Sequence, residues 1–165
     1  MFSKRYFGTF LIALAVALPL SAQDRPYVAH GYGYFGLGGT QGTTFGKLLN
    51  AGGGGEAFLY KGLAVGGDVG YLGHYQNFGS DGFGLASANG SYHFVRSREQ
   101  KLAPFVTAGY SLAFRNGTAN FTNVGGGINY WFRNRVGLRV EYRDYFTASD
   151  SDPHIHTVRF GISFR

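Results

Sequence analysis

The chain has 165 residues, with 28 Gly, 16 Phe, 12 Tyr, one Met and no Cys, and only 15% of it is charged. Glycine without a collagen period and this many aromatics exclude a collagen-like fibre and a disordered tail. The lack of Cys excludes disulfides, thiolate zinc sites, a catalytic Cys and a lipid-modified N-terminal Cys.

The first segment reads as a leader. Lys4 and Arg5 precede an apolar run from Phe10 to Leu20 and the small residues Ser21 and Ala22. That order predicts a secretory signal peptide, residues 1–22, cleaved after Ala22. The run is barely half the roughly 20 apolar residues that a membrane-spanning helix needs. Residues 23–165 then form one domain, in which 13 Lys and Arg stand against 9 Asp and Glu once Lys4 and Arg5 are gone. An excess this small does not point to nucleic acid. No later stretch is apolar enough for a helical span.

Beyond the leader the chain alternates with period 2, the period of a strand. Eight strands are predicted at about 27–39, 50–59, 63–75, 83–94, 103–115, 122–132, 136–147 and 155–165. The connections fall at 40–49, 60–62, 76–82, 95–102, 116–121, 133–135 and 148–154. In Tyr60-Lys61-Gly62, Gly62 suits the left-handed position of a three-residue hairpin. That loop puts Leu59 and Leu63 on one face, and Glu56 with Asp68 on the other. In the seventh strand Val136, Leu138, Val140 and Tyr142 share one face, and Arg139, Glu141 and Arg143 the other. In the eighth, Val158, Phe160, Ile162 and Phe164 oppose Thr157, Arg159, Gly161 and Ser163.

A soluble lipocalin-like barrel, binding a hydrophobic ligand, keeps its apolar face inside, whereas a transmembrane barrel turns it toward lipid. Two features predict the second case. The polar faces repeat small residues (Gly66, Gly70, Ser87, Ser91, Gly109, Ser111, Gly125, Gly127) broken by single charges, which suits a narrow eight-stranded lumen. The apolar faces carry Tyr71, Tyr75, Tyr110, Phe114, Tyr142 and Phe146 toward one end, and Tyr92, Phe94, Tyr130, Phe132, Phe160 and Phe164 toward the other. These are the two girdles that membrane interfaces select.

Tyr32-Gly-Tyr-Phe-Gly-Leu-Gly-Gly39, Glu56-Ala-Phe-Leu-Tyr-Lys-Gly-Leu-Ala-Val-Gly-Gly-Asp68, Gly125-Gly-Gly-Ile-Asn-Tyr-Trp-Phe132, Gly137-Leu-Arg-Val-Glu-Tyr-Arg143 and His156-Thr-Val-Arg-Phe-Gly-Ile-Ser-Phe164 resemble the small OmpA/OmpX-type outer-membrane β-barrel family. The likeness spans the mature chain and rests on pattern more than on a unique motif. It implies an all-β, eight-stranded antiparallel up-and-down barrel, monomeric, among outer-membrane lipids and lipopolysaccharide. It further implies insertion by the outer-membrane assembly machinery, which reads a C-terminal aromatic signal: here Phe160, Ile162 and Phe164, with Arg165 after the last aromatic. Short turns then face the periplasm and longer loops the outside. Lys61, Arg96, Arg98, Lys101, Arg133, Arg135 and Arg165 fall on the periplasmic side, and Asp81, Asp150 and Asp152 on the outer.

Three groups of residues invite a chemical reading. Glu56, Asp68 and Glu141 share the expected lumen with Arg139, Arg143 and Arg159, three charges of each sign. Equal numbers predict a closed network plugging the barrel, with an ion path as the rival. His154 and His156, with Asp150 and Asp152, form a metal-like cluster, because residues i and i+2 of a strand share a face; a solvated loop is the plainer reading. The histidines also raise a lipid A-modifying enzyme with a His–Ser arrangement, but Thr157 follows His156 and only Ser151 lies near. Gly31-Tyr-Gly-Tyr-Phe-Gly36 matches a dinucleotide-binding spacing, yet sits within a strand with no helix after it. The expected product is a non-enzymatic envelope-structural or surface-contact barrel without cofactor, its extracellular ligand unspecified.

Overall fold

The computed structural model describes residues 28–40, 45–95, 97, 99–147 and 154–165; the expected leader, Asp150, Ser151 and Asp152 lie outside them. Eight strands follow in order: β1 (Ala29–Thr40), β2 (Leu48–Tyr60), β3 (Leu63–His74), β4 (Phe83–His93), β5 (Leu102–Phe114), β6 (Thr118–Trp131), β7 (Val136–Phe146) and β8 (Ile155–Phe164). A 3-10 turn, Tyr75–Asn77, leads out of β3. Each strand pairs antiparallel with the next. β8 returns to β1, setting Phe164 opposite Gly31 and Ile155 opposite Thr40. The fold is an all-β, closed, eight-stranded up-and-down barrel. Closure leaves no sheet edge, so every strand finds ladder partners on both sides.

The β2–β3 hairpin shows how local chemistry sets which side chains face inward. Lys61 and Gly62 both take positive φ, 38° and 88°, the backbone of a primed two-residue turn. Tyr60 therefore pairs with Leu63 instead of lying in a three-residue loop, and Leu59 is the extra residue of a bulge beside it. The bulge preserves the expected faces, with Leu59 outside and Phe58 and Ala64 buried inside. A Cβ on Gly62 would lie 2.2 Å from the His93 carbonyl oxygen, so the turn packs closely on β4.

Two expected connections are shorter than the sequence suggested. β6 begins at Thr118 instead of 122, and Phe114 pairs with Thr118, leaving residues 115–117 as the tip. Asn116-Gly117 marked a turn correctly, but Thr118, Phe121 and Thr122 sustain the ladder above it, because β-branched and aromatic side chains suit a pleated surface. β2 likewise begins at Leu48, paired with Gly38 and His74.

The barrel is inverted relative to a soluble one. Val69, Val106, Val124, Ile128, Leu138, Val140, Phe160 and Ile162 stand on the outer wall, each at least 41% exposed. Inside, all six predicted charges are buried. Apolar clusters pack near both ends of the lumen: Phe58, Ala64, Ala103 and Trp131 at the end of the short turns, and Leu85, Ala113 and Tyr145 at the loop end. A continuous apolar outer band around a polar interior is stable against hydrocarbon and not against water. This is the architecture of a transmembrane β-barrel.

Substitutions at neighbouring positions with opposite faces should therefore differ sharply. Val140→Arg or Ile162→Arg should destabilise the barrel by about 2–4 kcal/mol if the site lies near the bilayer midplane. Ser163→Ala should cost about 1 kcal/mol, for one hydrogen bond of 3.2 Å from Ser163 Oγ to Asn129 Oδ1. Urea unfolding in lipid vesicles reads all three.

Candidate functional site

The lumen is held together by a network that three positions of one strand initiate. Arg139, Glu141 and Arg143 alternate along β7, so all three point inward. The Glu141 carboxylate lies between its two neighbours. Arg139 Nε donates to Oε2 at 3.0 Å and Arg143 Nε to Oε1 at 2.6 Å, with Arg143 Nη2 2.5 Å from the same oxygen. Each arginine then reaches across the barrel. Arg143 Nη1 donates to Asp68 Oδ2 on β3 at 2.7 Å, and Arg139 Nη2 to Glu56 Oε1 on β2 at 3.0 Å. β8 contributes Arg159, directly opposite Glu141 in register. Its Nη1 lies 3.5 Å from Asp68 and 3.8 Å from Glu141, and its Nη2 donates to the Tyr145 hydroxyl.

Further polar groups complete the carboxylate shells. Glu56 Oε2 accepts from Ser91 Oγ at 2.8 Å and lies 2.6 Å from His93 Nε2. Asp68 accepts from Asn89 Nδ2 at 2.9 Å and from the Tyr34 hydroxyl at 3.3 Å. Asn123 extends the chain, donating to Asn89 Oδ1 and to Ser111 Oγ. Aromatic faces cover the guanidinium planes: Arg139 lies between Tyr32 and Phe105, 4.2 and 4.0 Å from their centroids, and Arg159 lies 4.3 Å over Tyr34. Cation–π contacts of this kind strengthen when water is excluded.

Room for these long side chains comes from the inward glycines. At Gly127, opposite Glu141, a Cβ would lie 2.1 Å from the Val140 carbonyl oxygen and 2.8 Å from the Phe105 ring. Any larger residue there would displace wall or plug.

All six predicted charges thus meet in one connected network, with the cross-lumen partners that sequence left open now assigned. Sequence reasoning missed the rings that fill the remaining volume: His30, Tyr32, Tyr34, Phe58, His93, Phe105, Trp131 and Tyr145. Strand parity was the signal that could have found them. Tyr145 continues the spacing of Glu141 and Arg143, and His93 that of Ser87, Asn89 and Ser91. The eight predicted lipid-facing residues, Val136, Leu138, Val140, Tyr142, Val158, Phe160, Ile162 and Phe164, have the parity of the outer wall.

The predicted metal-like cluster sits elsewhere, on the outer wall at the loop end. His154 and His156 share a face, with rings 5.8 Å apart and 20° from parallel. The carboxylate they meet belongs to Asp144 of β7, which faces His156 in the ladder. Asp150 and Asp152 are outside the described residues. The nearer partner was hidden because its proximity depends on register between strands.

No family model and no curated protein matches the chain significantly. Solved structures do match. The N-terminal β-barrel domain of Pseudomonas aeruginosa OprF aligns over 83% of this chain and 98% of its own, with TM-score 0.59 and 16% identity. Neisserial surface protein A aligns over 82% and 94%, with TM-score 0.62 and 15% identity. Ail, the attachment invasion locus protein of Yersinia pestis, aligns over 82% and 96% in its complex with the heparin analogue sucrose octasulfate, with TM-score 0.52 and 12% identity.

The network makes a graded prediction. Arg143→Leu should cost about 3–5 kcal/mol, because it leaves buried carboxylates without their closest cation. Adding Asp68→Asn should recover part of that loss in a double-mutant cycle. Arg159→Leu should cost less than Arg143→Leu, since its carboxylate contacts are longer. Equal losses with no coupling would show that the individual pairs do not matter. At these similarities it is the fold that is shared: the chain has the fold of the small eight-stranded outer-membrane β-barrels.

Proposed function

We propose that this is a non-enzymatic integral outer-membrane barrel with an envelope-structural or surface-contact role, presenting short loops outside. Residues 1–22 direct export and are removed. The assembly machinery then reads the last strand through Phe160, Ile162 and Phe164. The short turns, including Lys61-Gly62 and residues 132–135, face the periplasm. The barrel sits as a monomer among outer-membrane lipids and lipopolysaccharide.

The observation that carries this reading is the filled lumen. Six charges are tied to one another across the barrel, and apolar clusters pack near both ends. An eight-stranded barrel has interior space for side chains and little else. That favours a passive wall over an ion path, and leaves the loops as the place where a partner would be met. Two structural neighbours bear names that refer to the cell surface and to attachment, in keeping with this reading.

Planar-bilayer recording of the purified barrel should give no stable conductance, and lipid A from cells expressing it should keep its mass. Steady unitary currents would replace the reading with a channel, and an altered lipid A mass with an enzyme. A strain lacking the protein should become sensitive to detergent. Complementation with a variant shortened over residues 76–82 separates the two roles: restored resistance means a structural role, and failure by a folded, surface-exposed variant means surface contact.

A further inference from the structure

The loop-end wall carries a polar cluster that the plugged-barrel reading does not use. The Nδ1 atoms of His154 and His156 converge on the carboxylate of Asp144, from which they lie 3.0 and 3.2 Å, each at a different oxygen. The three ligand atoms lie within 4.8 Å of one another, and among the described residues no other group of three or more His, Asp and Glu side chains converges in this way. We propose that Asp144, His154 and His156 form a binding site for a divalent transition-metal ion, with Zn²⁺ the best fit.

The geometry is close to what such an ion requires. Ligand atoms about 2.0–2.2 Å from a tetrahedral ion lie about 3.3–3.6 Å from one another. The nitrogens lie 3.0 and 3.2 Å from different Asp144 oxygens and the three donor atoms within 4.8 Å of one another, so coordination would draw the two imidazoles together by up to about 1 Å. Donor type selects the metal: two imidazole nitrogens and one carboxylate suit zinc and its neighbours, whereas Mg²⁺ and Ca²⁺ prefer all-oxygen shells. Three protein ligands leave a fourth position for water.

The surroundings hold the ligands in place. The rings of Phe146, His154, His156 and Tyr142 form a stack along the outer wall, with successive centroids 5.5, 5.8 and 6.2 Å apart and planes within 20°. Asp144 and His156 are fixed opposite each other by the β7–β8 ladder. The hydrogen bonding is also incomplete in an informative way. Asp144 Oδ1 is buried and accepts no hydrogen bond from any described residue, although His156 Nδ1 is 3.2 Å away. That nitrogen is instead 2.8 Å from the Tyr142 hydroxyl. A cation bound at His156 Nδ1 takes the one lone pair that the Tyr142 hydroxyl would otherwise use, releasing that hydroxyl, and gives Asp144 Oδ1 a partner at the same time.

The test is calorimetric titration of Zn²⁺ into the full barrel folded in detergent, in a non-chelating buffer near neutral pH. One ion per chain is expected, bound with two imidazole nitrogens in its X-ray absorption shell. His154→Ala, His156→Ala and Asp144→Asn should each weaken binding by about tenfold or more. His74→Ala, on another strand, should leave it unchanged. The gel-mobility difference between heated and unheated samples establishes that each variant is folded. No saturable binding by the parent barrel would overturn the site. So would folded variants that bind Zn²⁺ as the parent does, because the metal would then sit elsewhere.

Discussion

Glu141 lies where the demands of the lumen meet. Its carboxylate takes Arg139 on one oxygen and Arg143 on the other, and each arginine carries its remaining donors across the barrel to Glu56 or Asp68. None of these groups reaches water to any extent. Charges withdrawn from water are tolerable only when paired and hydrogen-bonded, and a missing partner is costly. The alternation of β7 satisfies this locally, since an acid at i with arginines at i−2 and i+2 brings three inward charges within reach before any tertiary pairing forms. Strands on the opposite wall then supply one carboxylate to each arginine.

The outer wall imposes this arrangement. Hydrocarbon offers no partner for backbone N–H and C=O groups, so the sheet must close on itself. With only eight strands, closure leaves a space that side chains must fill. Glycine at inward positions such as Gly127 lets wall and plug approach closely, while Tyr32, Phe105, Tyr34 and Tyr145 occupy the volume around the guanidinium groups. The apolar face and the charged core are therefore two sides of one constraint.

Most of the wall was legible in the sequence because strand parity is a local property. The spacing of Val136 to Tyr142 and of Arg139 to Arg143 separates the two faces of β7 without knowledge of any other strand. Even the bulge at Leu59 did no harm to the face assignment, because the extra residue restores the parity that the shorter turn removes. What sequence could not supply was contact between distant segments. Asp68 and Arg143 are 75 positions apart, and their meeting depends on barrel closure. The Asp144–His156 pairing likewise depends on the β7–β8 register, so the nearer acids Asp150 and Asp152 attracted attention first. The inward rings were obscured for another reason. Trp131 lies between Tyr130 and Phe132, which face outward, and a run of three aromatics hides which one turns inward.

The chain contains no Cys, so single cysteines placed along β5 report on the lumen without background. Thr107→Cys and Ser111→Cys probe buried inward positions, while Ala108→Cys and Leu112→Cys probe the outer wall. In lipid vesicles, the inward pair should resist water-soluble thiol reagents until the barrel is unfolded, and the outward pair should react with a membrane-soluble maleimide. Rapid labelling of the inward cysteines in the folded barrel by the water-soluble reagent would mean a hydrated, open lumen, and would contradict the closed charge network.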